Sequence, residues 1–181
     1  MALCQVNLTV GDLDGNVEAM AGALEAAEAA DAHVACFPEL AVAGYPPEDL
    51  VLKRGFVAAN RAALDRFAAL TGDTVAVVGF VEDDGDDLHN SAAVCARGEV
   101  VAVYRKRHLP NYAVFDEQRY FVPGRPEDLA LHEIGGLPVG VSVCEDAWQH
   151  GGPIPELGAG GARVVLNING SPFYADKGKV R

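Results

Sequence analysis

Apolar residues recur along the chain with two spacings, and each predicts a different element. Residues 2–8 alternate between apolar and polar, the period of a half-buried strand. Asp12 and Asp14 lead into Gly15-Asn16, a turn and helix-cap signal. Over residues 17–30 the apolar positions fall three and four apart in an alanine-rich stretch, which predicts a helix. Residues 33–37 form a short apolar strand that stops at Pro38. Gly44-Tyr45-Pro46-Pro47 is a loop. A second helix is expected over 55–70.

The spacing then changes to that of hairpins. Residues 74–81 form a valine-rich strand, and Asp83-Asp84-Gly85-Asp86-Asp87 reads as the turn after it. Strands at 90–96 and 100–104 are joined through Arg97-Gly98-Glu99. A long polar and aromatic loop separates them from a strand pair at 129–133 and 137–143, joined through Gly135-Gly136. Residues 151–161 read as loop with a short helix at most, and 163–168 as a last strand. Helices alternating with strands early and hairpins in the middle predict an α/β or α+β sheet covered by helices.

Composition narrows the classes. With 181 residues and half of them hydrophobic, the chain can bury one real core. A net charge of −12 argues against nucleic acid or an anionic membrane surface as partner. No apolar run approaches the ~20 residues needed to cross a bilayer, and the N-terminus lacks the basic region of a signal peptide. A cytoplasmic protein is expected. Cys4, Cys36, Cys95 and Cys144 form no CxxC pair, so neither a zinc ribbon nor another metal site is expected, and the thiols should be reduced. The first three lie in apolar runs and read as small buried hydrophobes.

Three stretches carry chemistry. The strand ending in Val143 is followed at once by Cys144-Glu145-Asp146-Ala147-Trp148, an arrangement that lifts a nucleophile to the top of a sheet. A backbone N–H beside such an elbow can hold an oxyanion. Alone, a cysteine at a strand end is more often core than nucleophile. Phe37-Pro38-Glu39-Leu40 places a carboxylate directly after a buried strand, where desolvation would make it a better base; an exposed loop acid is the plainer reading. Tyr104-Arg105-Lys106-Arg107-His108 reads first as a solvated basic face, but Lys106 directly follows a strand and enters a Pro-Asn-Tyr loop.

Together, Phe37-Pro38-Glu39-Leu40, Lys106 within Tyr-x-Lys-x-His-Leu, and Cys144-Glu145-Asp146 resemble the carbon–nitrogen hydrolase, or nitrilase, superfamily. Its members use a Glu, a Lys and a Cys in this chain order, here Glu39, Lys106 and Cys144. The run 109–121, the Glu-Asp-x-Trp after Cys144, and Asn167-Ile168-Asn169-Gly170-Ser171-Pro172-Phe173 are similar to one branch, the glutaminase domains of glutamine-dependent NAD+ synthetases.

The resemblance implies a nitrilase-type four-layer α-β-β-α sandwich. Residues 1–181 would form one carbon–nitrogen hydrolase (glutaminase) domain, expected to be incomplete at its C-terminal end. It implies hydrolysis of the L-glutamine side-chain amide through a cysteine thioester, with the ammonia used to make NAD+ from deamido-NAD+. Glu39 would be the base, Cys144 the nucleophile and Lys106 the cation that favours the thiolate and stabilises the oxyanion. Tyr112, Ser171 and Lys177 occupy glutamine-binding positions; Tyr45, Phe115 and Glu145 occupy pocket-lining positions, where packed aromatics are an equally good reading of Tyr45 and Phe115. Glu117 resembles a second glutamate that orients the lysine. No cofactor serves the glutaminase step. ATP and Mg2+ would belong to a synthetase domain, whose Ser-Gly-Gly-x-Asp-Ser loop does not occur in the sequence. A homo-oligomer is implied. Two other readings stand beside this one: a free-standing amidase acting on another small amide, and a catalytically silent fragment that serves as an assembly surface.

Overall fold

A computed structural model describes residues 1–172 and 175–179. Phe173, the last residue of the Ser-Pro-Phe segment, lies outside the described residues.

The first sheet has five strands in sequence order, β1 (Ala2–Leu3), β2 (Val34–Cys36), β3 (Val75–Asp83), β4 (Leu88–Ala96) and β5 (Glu99–Arg105). The first three run parallel. They are connected by α1 (Leu13–Ala29) and α2 (Arg54–Ala68), the crossover that parallel strands require. β3, β4 and β5 continue as antiparallel hairpins, with Gly98 at φ +88° turning the second.

The second sheet contains β6 (Leu131–Ile134), β7 (Leu137–Val143) and β8 (Val164–Ile168) in that order. β6 and β7 form a hairpin through Gly135 and Gly136, both at positive φ. α3 (Pro153–Ala159) crosses back to β8, which pairs parallel with β7.

Two apolar clusters fix the layers. Met20 and Leu24 from α1 and Leu64 and Phe67 from α2 pack on Phe37, Val78 and Phe80, so the long helices cover one face of the first sheet. The other face, with Val77, Val94 and Tyr104, packs on Ile134, Val141, Leu166 and Ile168 of the second sheet. Gly140 points away from that interface, and a Cβ there would lie 2.8 Å from the Leu157 side chain of α3. The order is therefore α-β-β-α. No helix among the described residues is long and apolar enough to cross a membrane.

Two expectations are corrected. The strand expected over 2–8 is paired only at Ala2–Leu3, although the inward-outward alternation of burial continues to Leu8. Cys4 N still donates to Cys36 O, but the next ladder donor on the neighbouring strand would come from Pro38, which has no N–H. The first helix begins at Leu13 rather than near Val17. Asp12 is its cap, accepting from Gly15 N at 3.0 Å. Asn16 lies inside the helix, buried, with its side chain bonded to both Thr9 N and Thr9 O and to Val42 O.

Candidate active site

Three strand ends converge on one buried polar cluster. Pro38 breaks the β2 ladder, and the chain turns so that Glu39 points inward. Leu40 takes φ +50° in this turn. The turn lies on the backbone of β3: a Cβ on Gly79 would be 2.2 Å from Leu40 N and 2.5 Å from Pro38 O. Only glycine fits beneath it.

Lys106 follows β5 directly, and its backbone is held on both sides, N–H to Asn90 O and C=O by Gly124 N, each at 2.9 Å. Its side chain is fully buried between two carboxylates. Nζ donates to Glu39 Oε1 at 2.6 Å and to both oxygens of Glu117 at 2.8 Å. Asn90 Nδ2 donates to the same pair, to Glu39 Oε1 at 2.9 Å and Glu117 Oε2 at 3.1 Å. Gly170 N donates to Glu39 Oε2 at 2.8 Å.

Cys144 directly follows β7 and takes φ +43°, a strained conformation for a non-glycine residue. Its thiol lies 3.2 Å from Ser171 Oγ, and near enough to Glu39 for that carboxylate's charge to act on it. Asp146, buried two residues on, staples this elbow to the chain around Lys106. It accepts from Val143 N, Arg107 N, His108 N, the His108 ring and the Tyr104 hydroxyl, the last at 2.7 Å.

The remaining residues named from the sequence surround this centre. Tyr45 donates to Glu117 Oε1 at 3.4 Å. Tyr112 donates to Glu145 Oε2 at 2.8 Å and meets Phe115 edge to face. Glu145 also accepts from Gln149. Lys177 Nζ donates to Pro172 O on the terminal turn. A cleft of about 310 Å³ opens beside Tyr45, Phe115 and Glu117, and another of about 620 Å³ beside Tyr112, Glu145 and His108. Among the described residues no group of three or more His, Cys, Asp or Glu side chains is arranged to hold a metal.

The cluster's electrostatics follow from burial and crowding. Burial, and after it the Glu39 charge, pushes the Cys144 thiol up to about 12, while Ser171 and Lys106 pull the other way. The thiol is therefore protonated at rest. Burial works against the Lys106 ammonium, but Glu39 and Glu117 outweigh it and hold its value above the usual lysine range. Burial and then Glu39 push Glu117 up to about 7, against the pull of Lys106 and Asn90.

Sequence reasoning missed Asn90 and the role of Asp146. For Asn90 the signal was incomplete: the hairpin tip, with Ala96 opposite Glu99, would set Asn90 opposite Arg105, and a bulge at Val94/Cys95 moves it opposite Lys106.

The sequence profile of the carbon-nitrogen hydrolases matches residues 1–180. The chain belongs to the carbon–nitrogen hydrolase family. Among curated relatives of this hydrolase, the glutamine-dependent NAD(+) synthetase of Thermotoga maritima is 44% identical over the whole chain, and that of Xylella fastidiosa 43% identical over 98% of it. The chain spans about a third of the length of these relatives, 31% and 32% respectively. The glutamine-dependent NAD+ synthetase structure from Acinetobacter baumannii superposes on 98% of the chain with a TM-score of 0.88 at 36% identity, using 33% of its own length. A mutant of the nitrilase-superfamily amidase from Nesterenkonia AN1 superposes over 98% of the chain with a TM-score of 0.82 at 25% identity, using 66% of its own length.

Proposed function

We propose that this domain hydrolyses the side-chain amide of L-glutamine to glutamate and ammonia through a Cys144 thioester. The ammonia would supply NAD+ synthesis from deamido-NAD+ on a synthetase domain. The observation that carries this reading is the buried Glu39–Lys106 pair set against the Cys144 thiol, in a chain 44% identical to a glutamine-dependent NAD(+) synthetase.

Because the thiol rests protonated, its proton must leave as the new bond forms. Glu39 takes the proton while Sγ attacks the amide carbon, and the C=O electron pair moves onto oxygen. Lys106 and a backbone N–H beside Cys144 stabilise that oxyanion. As the tetrahedral species collapses, the C–N bond breaks and Glu39 returns its proton to the leaving nitrogen, releasing ammonia. Water then attacks the thioester as Glu39 takes a proton from it. The second collapse expels the thiolate, which recovers the proton, and glutamate departs. Tyr112, Ser171 and Lys177 bind glutamine in this reading, Tyr45, Phe115 and Glu145 line its pocket, and Glu117 orients Lys106. No cofactor enters this step; ATP and Mg2+ act in the synthetase reaction. Assembly into a homo-oligomer belongs to the same proposal.

Cys144→Ala should reduce ammonia release from glutamine by about 10⁴-fold or more with an unchanged thermal midpoint. Full turnover by the variant would overturn the assignment. The superposition on the Nesterenkonia amidase favours a second reading, a free-standing amidase. A panel of glutamine, asparagine, acetamide and propionamide separates the two by which amide the wild-type chain turns over fastest.

A further inference from the structure

Asn90 is fully buried, yet it is only half satisfied. Its Nδ2 has two carboxylate acceptors, whereas its Oδ1 has no partner among the described residues. The orientation of the amide is fixed by chemistry, because Glu39 and Glu117 can only accept from it when ionised. A buried carbonyl left unpaired opposes folding. The fold does not require this side chain for its ladder, since the backbone of Asn90 already pairs with Val81 and accepts from Lys106 N. An apolar side chain there would leave no orphan. What Asn90 alone supplies is a neutral donor shared by two carboxylates, reaching the same oxygens, Glu39 Oε1 and Glu117 Oε2, that the Lys106 ammonium contacts.

We infer that Asn90 is a positioning residue for the amide-cleaving centre: one amide clamps Glu39 and Glu117 at a fixed separation around Lys106 without adding charge. This inference rests on the proposed reaction. Lys106 can neutralise only one of its two carboxylate neighbours, so the cluster carries a residual negative charge when both are ionised. A second cation would lift that excess but would also hold Glu39 too tightly to act as a base. A neutral donor holds both carboxylates in place and leaves Glu39 basic. The charged and titratable groups facing the pair are Lys106, the Tyr45 hydroxyl and the Cys144 thiol. Removing the Asn90 donor leaves Glu117 easier to protonate, since that bond is one of the contacts opposing its upward displacement.

The test uses the full chain with Asn90→Ala and the isosteric Asn90→Asp. For Asn90→Ala, kcat on glutamine should fall about 10- to 100-fold with KM changed less than about threefold, and the acid limb of the pH–rate profile should move up by about one unit. Asn90→Asp should shift the limb further, because it adds a third carboxylate. A purely structural role would lower the thermal midpoint and the active fraction without moving the limb. The rate of Cys144 alkylation by iodoacetamide, followed against pH, reads the same cluster without substrate and should shift in the same direction. If the wild-type chain ignores glutamine, the proposed reaction fails, and the alkylation profiles still decide the role of Asn90. Unshifted profiles in both variants would overturn it.

Discussion

Phe37 and Glu39 are separated by one proline and are equally dry, yet they belong to regions held together by opposite means. Phe37 joins Met20, Leu64, Phe67 and Phe80 in the core beneath the long helices, meeting Phe67 edge to face at 5.2 Å. That region is stabilised by shape, and any well-packed apolar set of the same volume would serve. Glu39 joins Lys106, Glu117 and Asn90, where each member is tolerable only because the others are present. Truncation in the first region leaves a hole; truncation in the second leaves a charge. The apolar region should therefore determine whether the chain folds, and the polar region what the folded chain does.

The variant that strains this contrast most is Lys106→Met. Turnover should vanish, and stability above neutral pH should fall by about 3–5 kcal/mol, because two buried carboxylates lose their cation. Denaturant titration would check it. Adding Glu117→Gln should recover much of the stability and none of the turnover, and recovery of both would show that the cluster is structural.

Phe67→Ala should cost about 3–5 kcal/mol through the cavity it leaves. Turnover per folded molecule should stay within about twofold. A tenfold loss in active-site-titrated enzyme would mean that the Phe37–Pro38–Glu39 turn transmits core packing to the site.

The smallest effect is a pH dependence. Glu117 is raised from 4.5 to about 7, so the native state binds its proton more tightly than the unfolded chain does. Its contribution to stability is present below about pH 4.5 and is lost as the pH rises towards 7. Glu117→Gln should therefore gain on the wild type across that window, by no more than about 3 kcal/mol, when both are melted at a series of pH values.

The elements were legible where the decision is local. The valine-rich β3, the Gly98 and Gly135-Gly136 hairpins and α2 all follow from period and turn chemistry within a few residues. The positions of Glu39, Lys106 and Cys144 at strand ends were legible for the same reason. Where a neighbour decides, the pattern misleads. Residues 4–8 alternate like a strand, but their ladder ends because Pro38, on another strand, has no hydrogen to donate. Asp146 reads as one more acid in an acidic run until β5 and β7 are brought together, when it becomes the acceptor for five donors drawn from β7, β5 and the loop just after β5. Asn90 acquires partners only when residues 39 and 117 arrive from elsewhere in the chain.

The two sheets do not contribute alike to the centre. Glu39 and Lys106 hang from the five-stranded sheet, whereas Cys144 hangs from the three-stranded one. Cys144 and Glu39, nucleophile and base in the proposed reaction, thus stand on separate slabs that pack through apolar side chains and are pinned by staples such as Tyr104 to Asp146. Sliding one slab past the other by a single ångström would part thiol from carboxylate, a displacement that can cost about 10²-fold in rate. Turnover is in this sense a ruler laid across the sandwich. It would register a slipped or loosened interface while the two long helices, anchored to the five-stranded sheet, still gave an intact spectroscopic signal.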